Sequence, residues 1–224
     1  MPTQMFECML DLETVGVRPG CAILSIGAVM FDIAAGKTGE EFYQAIDVNS
    51  CVNFGLRQEP ATAAWWANQN VDARKVWEDP DRLSLDESLN KFSKWLAEQC
   101  DSKVIKIWGN GASFDQPILV AAYDAIGTRV PWIFKNEMCY RTMNRFLPTV
   151  IMEESDGVLH NALDDARFQT AKLLKMFAAR DAEQPKTPKP SPLEVKFATP
   201  PETVMARAKA AVAKMTNREI NRRR

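Results

Sequence analysis

The sequence lacks the features of a membrane, secreted or disulfide-stabilised protein. No window approaches the roughly 18 apolar residues that a helix needs to span a bilayer. The first ten residues, MPTQMFECML, contain no basic region followed by a long apolar run. The five cysteines are an odd, dispersed set without a CxxC pair, which favours reduced thiols over a disulfide framework or a structural zinc site. We therefore expect a cytoplasmic protein that does not bind a membrane.

The chain is long enough for one domain, and its charge is distributed unevenly. Its 224 residues, 46% of them hydrophobic, are enough for one domain with a sizeable core. From Ala182 onward, ten Lys and Arg residues stand against four Glu residues, so the net charge of −1 combines an acidic body with a basic tail. We predict a main domain at residues 1–181, a proline-rich linker at 182–201 and a basic tail at 202–224. Residues 205–221 of the tail have the composition of a helix that would need a partner to be stable.

Strand and helix signals alternate along the main domain. Apolar runs predict strands at residues 5–10, 21–31, 42–46 and 104–108. Between the last two, Leu89, Phe92, Trp95 and Leu96 share one face of a predicted helix at residues 86–98. Further helices are expected at 117–126, where Gly127 fits the C-terminal stop, and at 161–179. This alternation indicates an α/β fold.

Asp11 and Glu13 stand two residues apart at the end of the first strand. The period of two along a strand points both carboxylates to one side, where they repel each other. A divalent cation would relieve that repulsion. The alternative is an ordinary solvated strand end, since Asp-x-Glu alone is a common pattern.

Two further segments carry candidate site residues. Asp115 follows a glycine-containing loop after the fourth strand, where α/β folds usually place their sites, but it is also a candidate helix N-cap. His160, the only histidine, precedes the last helix. On the wheel of that helix Asp165 borders the core face and Asp164 points nearly opposite, so we choose Asp165 as the inward carboxylate. A surface or capping role for His160 and a helix-dipole role for Asp165 are the alternatives.

These pieces, in this order, resemble the DEDDh family of 3′-to-5′ exonucleases. The matching segments are DLET at 11–14, NGASFD ending at Asp115, and HNALDD at 160–165, with the histidine five positions before the final aspartate. The segments RPGCAILSIGAVMFD, EPATAAWW and CYRT are similar to a subgroup of phage exonucleases and a mycobacterial exoribonuclease. The resemblance implies a ribonuclease-H-like fold, a mixed central sheet of about five strands flanked by helices. It also implies a bacterial cell or a phage-infected host as the setting.

The resemblance further implies a two-metal hydrolysis of phosphodiester bonds, with Mg²⁺ as the cofactor and Mn²⁺ able to substitute. Asp11 would bridge both ions, and Glu13 and Asp165 would hold the one that carries the attacking water. Asp115 would act on the other ion through water. His160 would be the general base. The expected activity is removal of nucleoside 5′-monophosphates from the 3′ end of single-stranded DNA or RNA.

Contacts to the nucleic acid are less well defined by the sequence. Leu12, Thr14 and Asn110 are candidates to contact the terminal nucleotide, and Phe114 to stack on a base. Trp65, Trp66 and Trp108, like Phe114, have core packing as the alternative. The tail either binds phosphates or is simply solvated. A homodimer, common among relatives, and a catalytically silent nucleic-acid-binding or polymerase-associated module on the same fold remain open.

Overall fold

The computed structural model describes residues 5–152 and 157–183. Its centre is one mixed sheet of five strands in the order β3-β2-β1-β4-β5. Adjacent strands pair antiparallel from β3 to β1 and parallel from β1 to β5. The strands are β1 Glu7–Thr14, β2 Ile23–Asp32, β3 Lys37–Ala45, β4 Lys106–Gly109 and β5 Glu137–Cys139.

Seven α-helices surround the sheet in the described residues. They are α1 Val48–Asn53, α2 Pro60–Ala67, α3 Val71–Arg74, α4 Leu85–Gln99, α5 Asp115–Ala125, α6 Tyr140–Phe146 and α7 Ala162–Glu183. Local sequence explains two of the starts: Pro60 occupies the first turn of α2, and Ser84 and Glu87 form a capping box at α4. The described residues include no helix long and apolar enough to cross a membrane.

Two buried clusters flank the sheet. The larger one includes Leu89 and Phe92 of α4, and the second lies between the sheet and α7 and contains Leu173 and Phe177. Strand β2 is buried along nearly its whole length, as expected for a strand covered on both faces. The sheet is therefore a rigid platform for residues at its strand ends.

One glycine allows α7 to start directly against the sheet. A side-chain carbon added at Gly27 of β2 would lie 2.2 Å from the carbonyl carbon of Ala162, the first residue of α7. Only glycine avoids this clash with main-chain atoms, so the start of α7 is held close to β2. The residues just before and after Ala162 are thereby fixed relative to β1, the next strand in the sheet.

The predicted α/β class is confirmed, with differences at element ends. The fourth strand begins at Lys106 rather than at residue 104, and α5 begins at Asp115 rather than at 117. The last helix begins at Ala162 and continues to Glu183, beyond the predicted end at 179 and the domain boundary at 181. The rest of the predicted linker and the tail at 202–224 lie outside the described residues.

Candidate active site

Strand pairing sets the direction of the first two carboxylates. Asp11 and Glu13 of β1 stand opposite Gly27 and Ser25 of β2. Directly opposed residues share a face of the sheet, and the face at Gly27 is the one that receives the start of α7. At Gly27 the missing side chain is replaced by the main chain of Ala162. Both therefore point towards the residues that begin α7, which agrees with the predicted common orientation.

The turn before α7 is shaped by its own side chains. His160 has a φ of 64°, the only positive value among the described non-glycine residues, and histidine is among the residue types enriched there. Asn161 then caps α7, because its Oδ1 accepts hydrogen bonds from the amides of Leu163 and Asp164. The left-handed residue is followed at once by the cap, and His160 lines the cleft just before the helix begins.

Asp165 and Asp164 have different surroundings. Single ligand atoms of Asp165, Glu13 and His160 all lie within 4.8 Å of one another. Asp164 instead accepts a hydrogen bond from the amide of Val158 at 2.9 Å and pairs with Arg167 at 2.9 Å. The structure thus brings Asp165 to the acidic pair, and Asp164 secures the loop that leads to His160.

Asp115 is the most buried of the four carboxylates, with 1% of its surface exposed. It occupies the first turn of α5, and its Oδ2 accepts a hydrogen bond from the amide of Asn110 at 2.7 Å. Phe114 is the N-cap, so the alternative that Asp115 caps the helix does not apply. Its partner instead comes from the loop that follows β4.

A cleft of about 530 Å³ opens over these groups. Asp11, Glu13, His160 and Asp165 line it, whereas Asp115 does not. The loop after β1 and helix α2 supply the remaining wall, which includes Gly16, Glu59, Thr62 and Trp65. The lining contains no lysine or arginine among the described residues. An anionic ligand therefore needs a cation of its own to enter this cleft.

Burial and mutual repulsion perturb the carboxylates. Burial raises the pKa of Asp11 well above its ordinary value, and the negative charges of Asp115, Glu13 and Asp165 raise it further. Burial, with the charges of Asp165 and Asp115, raises the pKa of Glu13 to about 8. The pKa of Asp115 is raised to about 6, also chiefly by burial. Arg141 offsets part of the charge of Asp115. The hard oxygen ligands of the cleft fit a divalent metal ion, which would compensate the remaining negative charge.

Gln169 is a site residue whose role sequence reasoning missed. It is buried in α7, and its Nε2 donates a hydrogen bond of 2.7 Å to Oδ1 of Asp11. This contact joins positions 158 residues apart. The sequence signal was present, since Gln169 lies four residues after Asp165 on the same helical face. A polar residue on the core face of an amphipathic helix is a candidate hydrogen-bond partner for a carboxylate of the site.

The predicted nucleotide contacts are placed unequally. Leu12, Thr14 and Phe114 line the cleft, but Asn110 does not. The main chain of Asn110 is engaged elsewhere, since its amide binds Asp115 and its carbonyl oxygen accepts a hydrogen bond from Arg141.

The tryptophans differ in exposure. Trp66 and Trp108 are buried, with 1% exposure, and Trp66 also lines the cleft, whereas Trp65 is 43% exposed there. The edge of one ring meets the face of the other where Trp65 contacts His160, with centroids 4.8 Å apart.

Sequence comparison places this arrangement in a family. The profile of the family described as the 3'-5' exoribonuclease Rv2179c-like domain matches residues 6–177, which include all four carboxylates, His160 and Gln169. The chain belongs to this family. A curated relative, an exodeoxyribonuclease of Enterobacteria phage T4, is 28% identical to this chain over 125 residues, which cover 52% of it. The match spans about half (55%) of the length of that relative.

Solved structures support the same fold. The nuclease domain of 3'hExo, described as a DEDDh family member bound to rAMP, superposes with a TM-score of 0.52 at 13% identity, covering 80% of this chain and 94% of that one. E. coli exonuclease I in complex with a dT13 oligonucleotide gives 0.54 at 13% identity, covering 79% and 42%. The predicted ribonuclease-H-like fold and the resemblance to DEDDh exonucleases are confirmed.

Proposed function

We propose that this Rv2179c-like protein is a metal-dependent 3′-to-5′ exonuclease that removes nucleoside 5′-monophosphates from the 3′ end of single-stranded nucleic acid. The observation that carries the proposal is the convergence of Asp11, Glu13, Asp165 and His160 on one cleft, with Asp115 acting electrostatically on it. These residues come from separate parts of the chain. A purely structural protein has no use for buried like charges in one place.

We propose two Mg²⁺ ions as the cofactor, with Mn²⁺ as a substitute, and the carboxylates of the cleft support a divalent metal ion. Asp11, Glu13 and Asp165 would hold ions at the cleft, and Asp115 would contribute from below its surface. When bound, the ions supply positive charge for the scissile phosphate and the leaving oxygen, and they increase the acidity of water. The raised carboxylate pKa values support this assignment, because the protein leaves the negative charge uncompensated.

His160 is proposed as the general base that removes the proton from the attacking water. It lies within reach of Glu13 and Asp165, and the edge-to-face contact with Trp65 limits how far its ring can turn. Its conformation is set by the main chain at a positive φ. The imidazole is thereby held at the cleft before substrate arrives, which is what proton transfer requires.

The cleft dimensions support a single-stranded end. A volume of about 530 Å³ falls within the range of about 300–1,000 Å³ that holds one small ligand. That is room for a terminal nucleotide, and we propose that a single-stranded end supplies it. The family description names an exoribonuclease and the phage relative is an exodeoxyribonuclease, so we propose both RNA and DNA as substrates to be compared.

The deciding experiment uses purified protein with single-stranded RNA and DNA of one sequence, labelled at the 5′ or the 3′ end. With Mg²⁺ we expect a ladder that shortens stepwise from 5′-labelled substrate and release of labelled mononucleotide from 3′-labelled substrate. Release of internal fragments, or undiminished hydrolysis in chelator, would contradict the proposal. The Asp11→Asn protein serves as the control for a contaminating nuclease.

A further inference from the structure

The imidazole of His160 borders two spaces. It lines the cleft together with Glu13 and Asp165, and it also lines a second, smaller cavity of about 220 Å³. We call this second space the rear cavity. Its polar lining includes Ser25, Tyr43, Asp79 and Asn161, and neither Glu13 nor Asp165 reaches it. The ring of the histidine is therefore in contact with two differently lined environments.

Strand register explains the polar wall of the rear cavity. Ser25 of β2 stands opposite Glu13 of β1, and Tyr43 of β3 stands opposite Gly27 of β2. Directly opposed residues share a face of the sheet, and so do residues two apart along a strand. Glu13, Ser25 and Tyr43 therefore lie on one face, the one that receives the start of α7. A row of polar side chains leads from the acidic pair across β2 to the edge strand β3.

The hydroxyl of Ser25 is the group in this row that the fold itself does not explain. Ser25 is fully buried, and its Oγ has no hydrogen-bond partner of acceptable geometry within the described residues. Nearly all buried polar groups in folded proteins are satisfied, either by protein or by bound water. Because Ser25 lines the rear cavity, water in that cavity is the available partner.

Tyr43 brings a second hydroxyl to the same place. Burial and the charge of Asp79 raise the pKa of Tyr43, and the neighbouring hydroxyl of Ser25 lowers it in part. The phenol group therefore lies near both Ser25 and Asp79, although its bond to Ser25 is poorly aligned. One water molecule at this point has two hydroxyls and a carboxylate within its surroundings.

The rear cavity has the size and polarity to hold water. A water molecule takes up roughly 30 Å³ in the liquid and needs two to four polar partners when it is buried. A metal ion is the less suitable occupant, since Lys75 contributes to the lining. Among the described residues, the group with metal-ligand spacing lies at the cleft and does not include Asp79.

A general base needs one defined tautomer. The ring nitrogen that takes the proton from water must be unprotonated, so the other nitrogen carries the ring proton, and the hydrogen bond made by that N–H selects the tautomer. The His160 ring contacts Trp65 and Trp66 but forms no hydrogen bond with a described residue. The acceptor for its N–H therefore has to come from one of the two spaces that it borders.

We propose that Ser25 and Tyr43 hold water in the rear cavity that accepts the ring N–H of His160, which makes both of them positioning residues for the general base. This inference rests on the proposed function and extends it. The bound water selects the tautomer whose free nitrogen faces the cleft. Asp79 supplies a charged acceptor in the same cavity and so orients the water.

The first test uses the fact that the chain has a single histidine. Full-length protein labelled with ¹⁵N at histidine gives the signals of one imidazole, and the shifts of its two nitrogens report which one carries the proton. Wild type, Ser25→Ala and Tyr43→Phe are compared at one pH that leaves the ring neutral. In wild type we expect one protonated and one free nitrogen. In each variant both shifts should move towards the average of the two tautomers.

The second test is kinetic. Ser25→Ala should lower kcat about 5- to 10-fold, as for one lost hydrogen bond, and leave KM within about twofold. In a His160→Asn background the same change should alter kcat less than about twofold, because Ser25 acts through the imidazole. Tyr43→Phe should show the same pattern, and it serves as the second variant if Ser25→Ala folds poorly.

Ser93→Ala is the matched control for removing a serine hydroxyl. Ser93 of α4 shares a hydrogen bond of 2.6 Å with the hydroxyl of Tyr123. Its loss should lower the melting temperature and leave kcat and the ring shifts unchanged. Ser25→Ala should do the opposite, since no well-formed bond to a described residue is lost with its hydroxyl.

Unchanged ring shifts in both variants overturn the proposal, as does an equal fall in kcat with and without the imidazole. A higher Mg²⁺ requirement with unchanged ring shifts also contradicts it and assigns Ser25 to its strand neighbour Glu13. If wild-type protein degrades no oligonucleotide with Mg²⁺ or Mn²⁺, the exonuclease function itself fails. The ring shifts separate that outcome, because they report on the two hydroxyls without any turnover.

Discussion

Strand β1 carries buried acidic side chains at both ends, and their partners differ. At its start, Glu7 is 7% exposed and is bonded to Nζ of Lys106 at 2.7 Å and to Nε1 of Trp108 at 2.6 Å. At its other end, Asp11 receives one neutral hydrogen bond, from Gln169, and its charged neighbours are acidic. A carboxylate that serves the fold has its donors supplied by the chain. The acidic end of β1 is left for an external cation.

The largest expected effect distinguishes the two ends directly. Asp11→Asn should reduce activity by about 10⁴-fold, because several kcal/mol of charge stabilisation at the phosphate are lost with the metal ions. In chelator at pH 8 the same variant should melt higher than wild type, since one repelling charge is gone. Activity assays and thermal melts with and without Mg²⁺ measure both effects.

Glu7→Gln is the matched variant for the other end of β1. It should keep its activity and lose about 1–2 kcal/mol of stability, because the donors of Lys106 and Trp108 lose a charged acceptor. Lys106 is half-exposed, which keeps this value small. A destabilised Asp11→Asn protein in chelator would contradict the contrast between the two ends.

His160 gives the second largest expected loss. His160→Ala should reduce kcat by about 10²- to 10³-fold, the usual contribution of a general base. His160→Asn is the variant that preserves the backbone, because asparagine accepts a positive φ. The rise in melting temperature on adding Mg²⁺ should survive in both proteins, since the carboxylates remain. Near-wild-type turnover would exclude the general base, as the chain has no second histidine.

Asp165 and Asp164 test the helical register of the site. Asp165→Asn should lose about 10²-fold in activity, because the cleft loses one metal ligand. Asp164→Asn should stay within about threefold, since its amide oxygen still accepts from Val158 and only the exposed pair with Arg167 is weakened. Parallel kcat measurements suffice. The reverse order, with the Asp164 variant inactive, would show that the wrong carboxylate has been chosen.

The smallest expected effect is a pH dependence of stability. Without metal, the folded protein keeps a proton on Glu13 up to about pH 8 that the unfolded chain loses near its ordinary pKa of 4.5. The melting temperature in chelator should therefore fall by at least about 3 °C between pH 5 and pH 8. Mg²⁺ should stabilise more at pH 8 than at pH 6. Glu13→Gln should flatten both trends, and an unchanged slope in that variant would assign the effect elsewhere.

Sequence patterns predicted the site residues best where regular spacing along a strand or a helix fixes the direction of the side chains. The period of two places Asp11 and Glu13 together, and the wheel of α7 separates Asp165 from Asp164, because both rules depend only on regular backbone geometry. The buried face of α7, with Ala162, Ala166, Leu173 and Phe177, is confirmed in the same way.

Long-range contacts and short elements were outside the reach of such patterns. The bond from Gln169 to Asp11 spans 158 residues, and the approach of Glu59 to Gly16 depends on how α2 meets β1. The helical period places Gln169 on the same face as Asp165 but does not identify its partner in β1, and the approach of Glu59 has no periodic signal. Strand β5 has three residues and helix α3 has four, so tertiary packing rather than local propensity decides that they form.

The glycine under the start of α7 has a consequence for which sequences the protein tolerates. Position 27 carries no acidic side chain of its own, yet any larger residue there would push Ala162 off the sheet and shift the imidazole and Asp165 together. A displacement of about 1 Å is enough to lower turnover strongly. A genetic screen for inactive alleles should therefore recover changes at position 27 alongside the acidic positions, in proteins that still accumulate in the cell.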